Sequence, residues 1–304
     1  MSRLKVALLA GGNSSEREIA LGSANQIAAA LDSAKYDVKV IDLHYRNMTY
    51  TAPDGTEWEV DKNDLSLTVA GEKTVFEYAL IIIHGTPGEN GILQGYFDLI
   101  GVPYSTSGVL VEALTFNKFA LNNYLRAYPQ VNVSDSVLVR KGMVRPDDAT
   151  IVARLGLPCF VKPTAGGSSF GVTKVKTVED FDKAVEYAFS EGNMLIAEAA
   201  VVGRELTCAV YFNGHENVAL PVIEIITENE FFDYEAKYNG HSREVCPAQI
   251  PDSLRDEIQE VSKKIYAHLG CAGLGRVDYI ASEEGLYFLE VNTIPGMTSA
   301  SLVP

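Results

Sequence analysis

Short apolar runs alternate with longer amphipathic segments through the first hundred residues of the chain. In chain order these segments are Lys5–Ala10, Glu16–Leu31, Tyr36–Asp42, Ala79–Ile83 and Ile92–Ile100. Alternation of strand and helix is typical of a parallel sheet, because each crossover between parallel strands needs a helix-sized connection. We therefore predict a doubly wound α/β domain at the start of the chain. The polar stretch Met48–Lys73 is expected to form a small hairpin excursion from it.

Two further groups of strands and helices follow. The first has predicted helices at Thr115–Leu125, Asp147–Leu155 and Val178–Glu191 and predicted strands at Ser136–Val139, Cys159–Lys162, Val172–Val175 and Met194–Glu198. The second has predicted strands at Leu206–Phe212, Val218–Ile226, Gly275–Ala281 and Leu286–Asn292 and a predicted helix at Ser253–Leu269. We expect domains at residues 1–106, 107–198 and 199–304.

The charge balance excludes several classes of partner. The chain has 25 Lys and Arg against 40 Asp and Glu, which gives a net charge of −15. Nucleic acids and anionic membranes bind basic surfaces, so we expect neither as a partner. The apolar runs are far shorter than the roughly 20 residues of a membrane span, and we expect a cytoplasmic protein. The four cysteines and five histidines lack the spacing of a zinc or redox site.

Two glycine-containing segments lie where a ligand can bind. Gly11–Glu18 joins the first predicted strand to the first predicted helix, the position at which open parallel sheets bind ligands. A tight turn with a capped helix is the alternative for this segment, although capping leaves Glu16 unexplained. Phe160–Gly171 has a lysine at the end of a strand, followed by a glycine-serine loop. The backbone N–H groups of such a loop can bind phosphate oxygens, and a mobile hairpin turn is the alternative.

The most informative pattern is a pair of polar motifs on the last two predicted strands. Side chains alternate between the faces of a strand, so Arg276 and Asp278 share one face, as do Glu290 and Asn292. A hairpin that turns near Glu284 sets Asp278 opposite Glu290 and Arg276 opposite Asn292. Facing carboxylates repel each other, and a divalent cation such as Mg²⁺, which prefers oxygen ligands, removes that repulsion. The pattern predicts a magnesium site shared with phosphates, and a salt-bridged solvent face is the alternative.

Two loops complete the candidate segments. Phe231–Tyr238 lies in a polar stretch too long for a simple connection, which favours a lid or binding segment over a surface loop. His84–Gly91 follows an apolar strand at the edge of the sheet where ligands bind. A lone histidine such as His84 is more often structural than functional.

Taken together, these segments resemble the D-alanine:D-alanine ligase family of the ATP-grasp superfamily. The likeness keeps the family's order from Gly11-Gly12 to Ser301-Leu302, and Glu-Ala-Lys-Tyr at 235–238 and Pro-Gly-Met-Thr-Ser at 295–299 are specific motifs. The resemblance implies a Rossmann-like α/β N-terminal domain followed by a two-lobed ATP-grasp fold of α+β type. It implies that ATP drives the joining of two D-alanines through an acyl phosphate, for peptidoglycan precursor synthesis.

The resemblance also implies an ATP site. Lys118 and Lys162 would hold the phosphates, and the loop Gly166–Gly171 would close over them. The other residues implied for ATP are Ser169 in that loop, Glu198, Ala199 and Val201 at the adenine, Glu205 at the ribose and Lys237 at the transferring phosphate. The implied ligands of two Mg²⁺ or Mn²⁺ ions are Asp278, Glu290 and Asn292. Ala199 stands where the family commonly has a bulky or basic residue, so backbone groups are expected to contact adenine there.

The substrate and catalytic residues follow from the same resemblance. Glu16 matches the carboxylate that binds the ammonium group of the first D-alanine, and Ser168 resembles the hydroxyl that links it to Tyr238. Arg276 and the backbone N–H of Gly296 resemble the donors to the developing oxyanion. The remaining implied contacts are Ser301 and Leu302 at the second carboxylate, and His84 with Glu89 near the first substrate, although Thr86-Pro87 departs from one common form of the motif. The resemblance further implies a homodimer.

Three alternatives stay open at the level of the sequence. A ligase of the same fold can join D-alanine to D-lactate, but such relatives often lack the tyrosine found here at Tyr238. Another ATP-grasp enzyme can join a different carboxylate and amine, and Glu16, Ser168 and Tyr238 together argue against it. A catalytically inactive nucleotide-binding module is expected to have lost its metal ligands, whereas all three are present here.

Overall fold

The computed structural model describes residues 2–167, 170–227 and 242–304, and within these residues the strands form three sheets. The first sheet contains β1 (Leu4–Gly11), β2 (Tyr36–His44), β3 (Asn47–Thr51), β4 (Glu57–Asp61), β5 (Ser66–Val69), β6 (Glu72–Val75) and β7 (Tyr78–Ile81). Its strand order is β6-β5-β4-β3-β2-β1-β7, and β1 pairs in parallel with both β2 and β7. The helices of this part are α1 (Arg17–Ala30) and α2 (Ile92–Ile100). The buried apolar run of β1 lies at the centre of the core, as expected for a strand covered on both faces.

The prediction for Met48–Lys73 was wrong in scale. This stretch forms more than a small excursion, because β3 to β6 extend the first sheet by four antiparallel strands. Met48, Val60 and Leu67 are buried in the same core as β1. Polar residues separate these apolar positions along the strands, which explains why the sequence suggested only a small hairpin excursion.

The second sheet is antiparallel and has the strand order β11-β10-β12-β9. Its strands are β9 (Ser136–Arg140), β10 (Cys159–Pro163), β11 (Thr173–Val175) and β12 (Met194–Ala199). The helices α5 (Asp148–Leu155) and α6 (Phe181–Ala188) bury their apolar faces against it. The predicted helix Val178–Glu191 is therefore shorter than expected, since a 3₁₀ turn at Val178–Asp180 precedes it.

The third sheet holds the last hairpin of the chain. Its strands are β8 (Asn132–Val133), β13 (Arg204–Phe212), β14 (Asn217–Ala219), β15 (Ile223–Thr227), β16 (Ser242–Val245), β17 (Leu274–Ser282) and β18 (Gly285–Asn292). Their order is β16-β15-β13-β17-β18-β8, with β14 paired to β13, and α7 (Asp252–Leu269) packs on the sheet. The single strand predicted at Val218–Ile226 was wrong. Residues 220–222 separate β14 from β15, and they include Pro221, which cannot donate to a ladder.

Two helices, α3 (Val109–Phe116) and α4 (Lys118–Leu125), connect the first sheet to the other two. The single helix predicted at Thr115–Leu125 was wrong. Asn117 has an extended backbone, and its side chain accepts a hydrogen bond from the Ala120 N–H at 3.0 Å, so it ends α3 and caps α4. The domain boundaries expected at 106/107 and 198/199 stay predictions. In the part of the chain that the structure describes, no helix has the length and apolarity needed to cross a bilayer.

Candidate functional site

Asp278 lies at the centre of the polar pattern on β17 and β18. The ladder pairs Asp278 with Glu290 and Arg276 with Asn292, which is the register predicted from the sequence. Arg276 donates two hydrogen bonds to Asp278, from Nε to Oδ1 at 2.9 Å and from Nη2 to Oδ2 at 2.8 Å. Asn292 Nδ2 donates to Oδ2 at 2.9 Å, and Thr207 Oγ1 on β13 donates to Oδ1 at 2.5 Å. Asp278, only 4% exposed, is therefore a buried carboxylate surrounded by donors.

Lys118 is the first residue of α4 and connects three parts of the site. Its Nζ lies 3.2 Å from Glu290 Oε2 and donates to the Gly166 carbonyl at 2.9 Å. Its backbone N–H donates to the Thr164 carbonyl at 2.7 Å. Burial disfavours the charge on this ammonium group, but Glu290 outweighs that effect and the pKa of Lys118 is raised. The side chain is a fixed cation between the glycine-rich loop and the last hairpin.

Lys162, at the end of β10, is held by a buried carboxylate. Its Nζ lies 2.5 Å from Glu198 Oε2 on the neighbouring strand β12. Asn122 Nδ2 donates to the other oxygen, Glu198 Oε1, at 2.5 Å. Both carboxylate oxygens of Glu198, expected at the adenine, thus contact protein groups in this structure. Sequence reasoning missed Asn122, and the only signal for it was its position four residues after Lys118 on one face of a helix.

Two cavities adjoin at this point and share a wall. The larger has a volume of about 550 Å³, and its lining includes Lys162, Glu198, Ala199, Val201, Glu205 and Asp278. The smaller has a volume of about 120 Å³, and its lining includes Glu16, His84, Glu89, Asn292, Gly296, Ser301 and Leu302. The residues that line both are Lys118, Gly166, Gly167, Arg276 and Glu290. A ligand in the larger cavity can therefore reach a second ligand in the smaller one at this wall. The contact would lie beside the cationic side chains of Lys118 and Arg276 and the glycine-rich loop.

The glycine-rich loop lies directly on Glu16. A Cβ atom at Gly167 would lie 2.5 Å from Glu16 Oε2, so this close approach depends on glycine. Glu16 immediately precedes α1, where the first strand passes into the first helix. The smaller cavity therefore has one wall from the first sheet and another from the loop after β10.

His84 and Glu89 give the smaller cavity two further polar groups. His84 Nδ1 lies 3.0 Å from the Ile294 carbonyl and must donate to it, which makes Nε2 the acceptor when the ring is neutral. Within the described residues Nε2 is buried and has no hydrogen-bond partner. Burial lowers the pKa of His84. Burial, together with the nearby Glu16, raises the pKa of Glu89 to about 8, so at pH 7 this cavity has a neutral imidazole and a protonated carboxyl group.

The segment after β18 closes the smaller cavity. Ser301 Oγ accepts a hydrogen bond from the Thr298 N–H at 3.0 Å, which folds residues 298–301 into a turn. A Cβ atom at Gly296 would lie 2.8 Å from Ser301 Oγ, so this turn packs directly on Gly296. Gly296, Ser301 and Leu302 are thus brought together at one cavity, although they were assigned to different parts of the reaction.

The predicted metal ligands Asp278, Glu290 and Asn292 line the two cavities. Across residues 2–167, 170–227 and 242–304, no group of three or more His, Cys, Asp or Glu side chains is arranged to hold a metal. The predicted set instead combines two carboxylates with an amide, Asp278 and Glu290 with Asn292, on one hairpin. Oxygen donors of this kind fit a hard divalent cation. In this structure Arg276 and Lys118 neutralise the two carboxylates, and the metal assignment stays a prediction.

Four of the predicted site residues cannot be placed. Ser168, Ser169, Lys237 and Tyr238 lie outside the described residues, as does the predicted lid segment Phe231–Tyr238. Their roles stay predictions.

Comparison with known proteins identifies the family. Residues 5–107 match the family model for the D-ala D-ala ligase N-terminus, and residues 128–304 match the model for the D-ala D-ala ligase C-terminus. The chain belongs to the D-alanine–D-alanine ligase family. A D-alanine–D-alanine ligase from Phocaeicola vulgatus is 47% identical over 300 residues, which cover 98% of this chain and 92% of that protein.

Two solved structures extend the likeness to the fold. D-alanyl-alanine synthetase A from Vibrio cholerae matches with a TM-score of 0.89 at 30% identity and covers 100% of this chain and 92% of its own. D-alanine–D-alanine ligase from Bacillus anthracis complexed with ATP matches with a TM-score of 0.77 at 27% identity, over 99% of this chain and 90% of that one. Membership of the D-alanine–D-alanine ligase family confirms the predicted fold class, a Rossmann-like domain followed by an ATP-grasp fold.

Proposed function

We propose that this chain is an ATP-dependent ligase that joins two D-alanines into D-alanyl-D-alanine for peptidoglycan precursor synthesis. The observation that carries the proposal is the wall shared by the two cavities. A nucleotide in the larger cavity and an amino acid in the smaller one meet between Lys118 and Arg276, where a phosphoryl group would be transferred. Family membership supports the same reaction.

The larger cavity is the ATP site. Its volume of about 550 Å³ lies within the usual range for small-molecule sites. Lys118 and Lys162 approach it from α4 and β10, so they supply local cations for the triphosphate in a chain whose net charge is −15. Because Lys118 also contacts the Gly166 carbonyl, the same cation links the phosphate site to the glycine-rich loop.

The first step takes place at the shared wall. Glu16 binds the ammonium group of the first D-alanine through a charge-assisted contact. The carboxylate of that D-alanine attacks the γ-phosphorus, which forms an acyl phosphate and releases ADP. Lys118 and Arg276 compensate the negative charge of the phosphoryl group during the transfer. The neutral His84 offers Nε2 as an acceptor for an N–H of the bound amino acid.

In the second step the amine of the second D-alanine attacks the carbonyl carbon of the acyl phosphate. Arg276 and the Gly296 N–H donate to the oxyanion that forms on the carbonyl oxygen, and each such donor is typically worth ~3–4 kcal/mol of barrier. Collapse of the tetrahedral intermediate forms the peptide bond, breaks the carbon–oxygen bond to the phosphoryl group and expels phosphate, which leaves with the proton given up by the amine. Ser301 and Leu302 hold the carboxylate of the second substrate.

Asp278, Glu290 and Asn292 are the residues that would hold divalent metal. Two Mg²⁺ or Mn²⁺ ions would supply further charge neutralisation for the phosphates. A cytoplasmic homodimer with domain boundaries near residues 106 and 198 completes the proposal. The dimer rests on the resemblance described above, whereas the location and the boundaries rest on the sequence pattern.

ADP release measured with and without D-alanine tests the proposed function. We expect ADP and phosphate to appear only when ATP and D-alanine are both present, with D-alanyl-D-alanine as the product by mass spectrometry. ATP hydrolysis that is independent of D-alanine, or a product other than the dipeptide, would contradict the proposal.

A mixture of D-alanine and D-lactate separates the proposal from its nearest alternative. The dipeptide is expected as the main product of the wild type, and Tyr238→Phe is expected to raise the share of the ester product. If the wild type makes mostly the ester, the proposal is wrong and the enzyme is a D-alanine:D-lactate ligase.

A further inference from the structure

Residues 293–297, which follow β18 and include Gly296, are fixed by side chains from α1, from α3 and from the segment between β7 and α2. We call these residues the donor segment. Its anchoring hydrogen bonds are Thr293 Oγ1 to Glu112 Oε2 on α3 at 2.5 Å, His84 Nδ1 to the Ile294 carbonyl at 3.0 Å, and the Met297 N–H to Ser23 Oγ on α1 at 3.1 Å. The position of the Gly296 N–H therefore depends on groups that lie outside the ATP-grasp strands.

Glu112 is unusual among these anchors because it is a fully buried carboxyl group. Its side chain is 0% exposed and Thr293 is 4% exposed. Among the described residues, no Lys or Arg side chain forms an ion pair with Glu112, so only hydrogen bonds from Thr293 and Ser107 offset the cost of burying its charge. Burial raises the pKa of Glu112 to about 9, and the side chain is therefore a neutral carboxylic acid at pH 7. Burying a carboxyl group costs free energy, and a leucine or methionine on α3 would fill the same space at lower cost.

We propose that Glu112 is a positioning residue for the ligation reaction. Its hydrogen bond to Thr293 fixes the first residue of the donor segment, and this places the Gly296 N–H at the smaller cavity. Asn292 at the end of β18 immediately precedes Thr293, so one bond holds the chain where it leaves the sheet. The inference rests on the proposed function, because the position of Gly296 matters only if that N–H donates to the reacting substrate.

Two matched pairs of variants test the inference in the full chain. E112Q keeps a neutral hydrogen-bonding side chain of the same size, whereas E112M keeps the volume and removes the hydrogen bond. T293S keeps the hydroxyl group, whereas T293V keeps the shape and removes it. We expect E112Q and T293S to retain kcat within about twofold, and E112M and T293V to lower kcat about tenfold with the KM for ATP unchanged. The double variant E112M/T293V should be no slower than either single variant, because both remove the same bond.

Thermal unfolding separates positioning from stability. Replacing both partners of a buried hydrogen bond by apolar groups of similar shape is often neutral or stabilising. A purely structural role predicts that E112M/T293V, once folded, has the kcat of the wild type, whereas positioning predicts a stable but slow enzyme. If E112M does not fold, the pair T293S and T293V decides the matter alone.

The outcomes distinguish this inference from the proposed function. A wild type with D-alanine-dependent ADP release, together with folded E112M or T293V of unchanged kcat, would overturn the role of Glu112 only. E112Q as slow as E112M would also overturn it. A wild type without D-alanine-dependent ADP release would overturn the proposed function and this inference with it.

Discussion

Three cationic side chains that line the two cavities are each paired with a carboxylate. Arg276 contacts Asp278, Lys118 contacts Glu290, and Lys162 contacts Glu198. The pairs fix the cations before any phosphate arrives, so little reorganisation is needed when phosphate oxygens replace or join the carboxylates. The chain can therefore keep a strongly acidic surface and still bind an anionic nucleotide.

Removal of the charge on Asp278 tests whether this carboxylate acts in phosphoryl transfer. We expect Asp278→Asn to lower kcat by at least about 100-fold, because a metal ligand should cost no less than the groups that support it. Nucleotide affinity should stay measurable, since Lys118 and Lys162 remain. The check is steady-state ADP release combined with ATP titration, and the control is Glu257→Gln on the exposed face of α7. Wild-type turnover of Asp278→Asn would refute the metal assignment.

Residues on neighbouring strands were more predictable than residues that meet across elements. The pairing of Asp278 with Glu290 followed from alternation along two strands joined by a short turn. The contacts of Asn122 with Glu198 and of Glu112 with Thr293 join positions 76 and 181 residues apart. The spacing of apolar residues along the sequence does not predict such contacts, because they depend on how α3 and α4 pack between the sheets.

At the scale of elements, the break between α3 and α4 places Lys118, the lysine proposed to bind the ATP phosphates. The apolar spacing of Phe116, Phe119 and Leu125 continues through the break, which is why the sequence suggested one helix. Asn117 interrupts that helix and starts a new one, whose first residue, Lys118, binds the Thr164 carbonyl through its backbone. The N-terminus of α4 and Lys118 therefore both lie next to the end of β10.

Loss of the cap should therefore affect both stability and turnover. We expect Asn117→Ala to reduce the free energy of unfolding by about 1 kcal/mol. We also expect it to lower kcat, because the first turn of α4 then holds Lys118 less firmly in position. Asp147→Ala is the matched control, since Asp147 caps α5 through the Thr150 N–H at 2.7 Å and α5 packs on the second sheet and lines neither of the two cavities. Urea unfolding and ADP release on both variants check the prediction. Equal kcat in the two variants would contradict a role for the α4 cap in the site.

At the scale of the whole molecule, three sheets meet around one pair of cavities. The strand and helix alternation at the start of the chain was enough to predict the parallel core of the first sheet, because a buried central strand has a continuous apolar run. The extension by β3 to β6 was not predictable in this way, since those strands are mostly polar and none has a continuous apolar run. The meeting of three sheets at one site rests on packing between distant segments.

Buried carboxyl groups between these sheets should make the stability of the molecule depend on pH. The unfolded chain releases the Glu112 proton near the ordinary value of 4.5, whereas the folded state keeps it up to about pH 9. Between these values the folded state binds more protons than the unfolded state, so a rise in pH lowers the free energy of unfolding. One pKa unit corresponds to about 1.4 kcal/mol, and the titratable groups that interact with Glu112 include Glu89, Tyr104 and Cys271.

Glu112→Gln removes this titration and keeps the size of the side chain. Its free energy of unfolding should therefore exceed that of the wild type by a margin that grows by up to about 1.4 kcal/mol per pH unit between about pH 6 and pH 8. Glu89 contributes a trend of the same sign to both proteins, because it also holds its proton in the folded state, so the difference removes all of it except the part due to its interaction with Glu112. Urea unfolding of both proteins across this range gives the margin directly. A margin that stays constant with pH would show that Glu112 is already ionised in the folded molecule, and the neutral hydrogen bond to Thr293 would then be wrong.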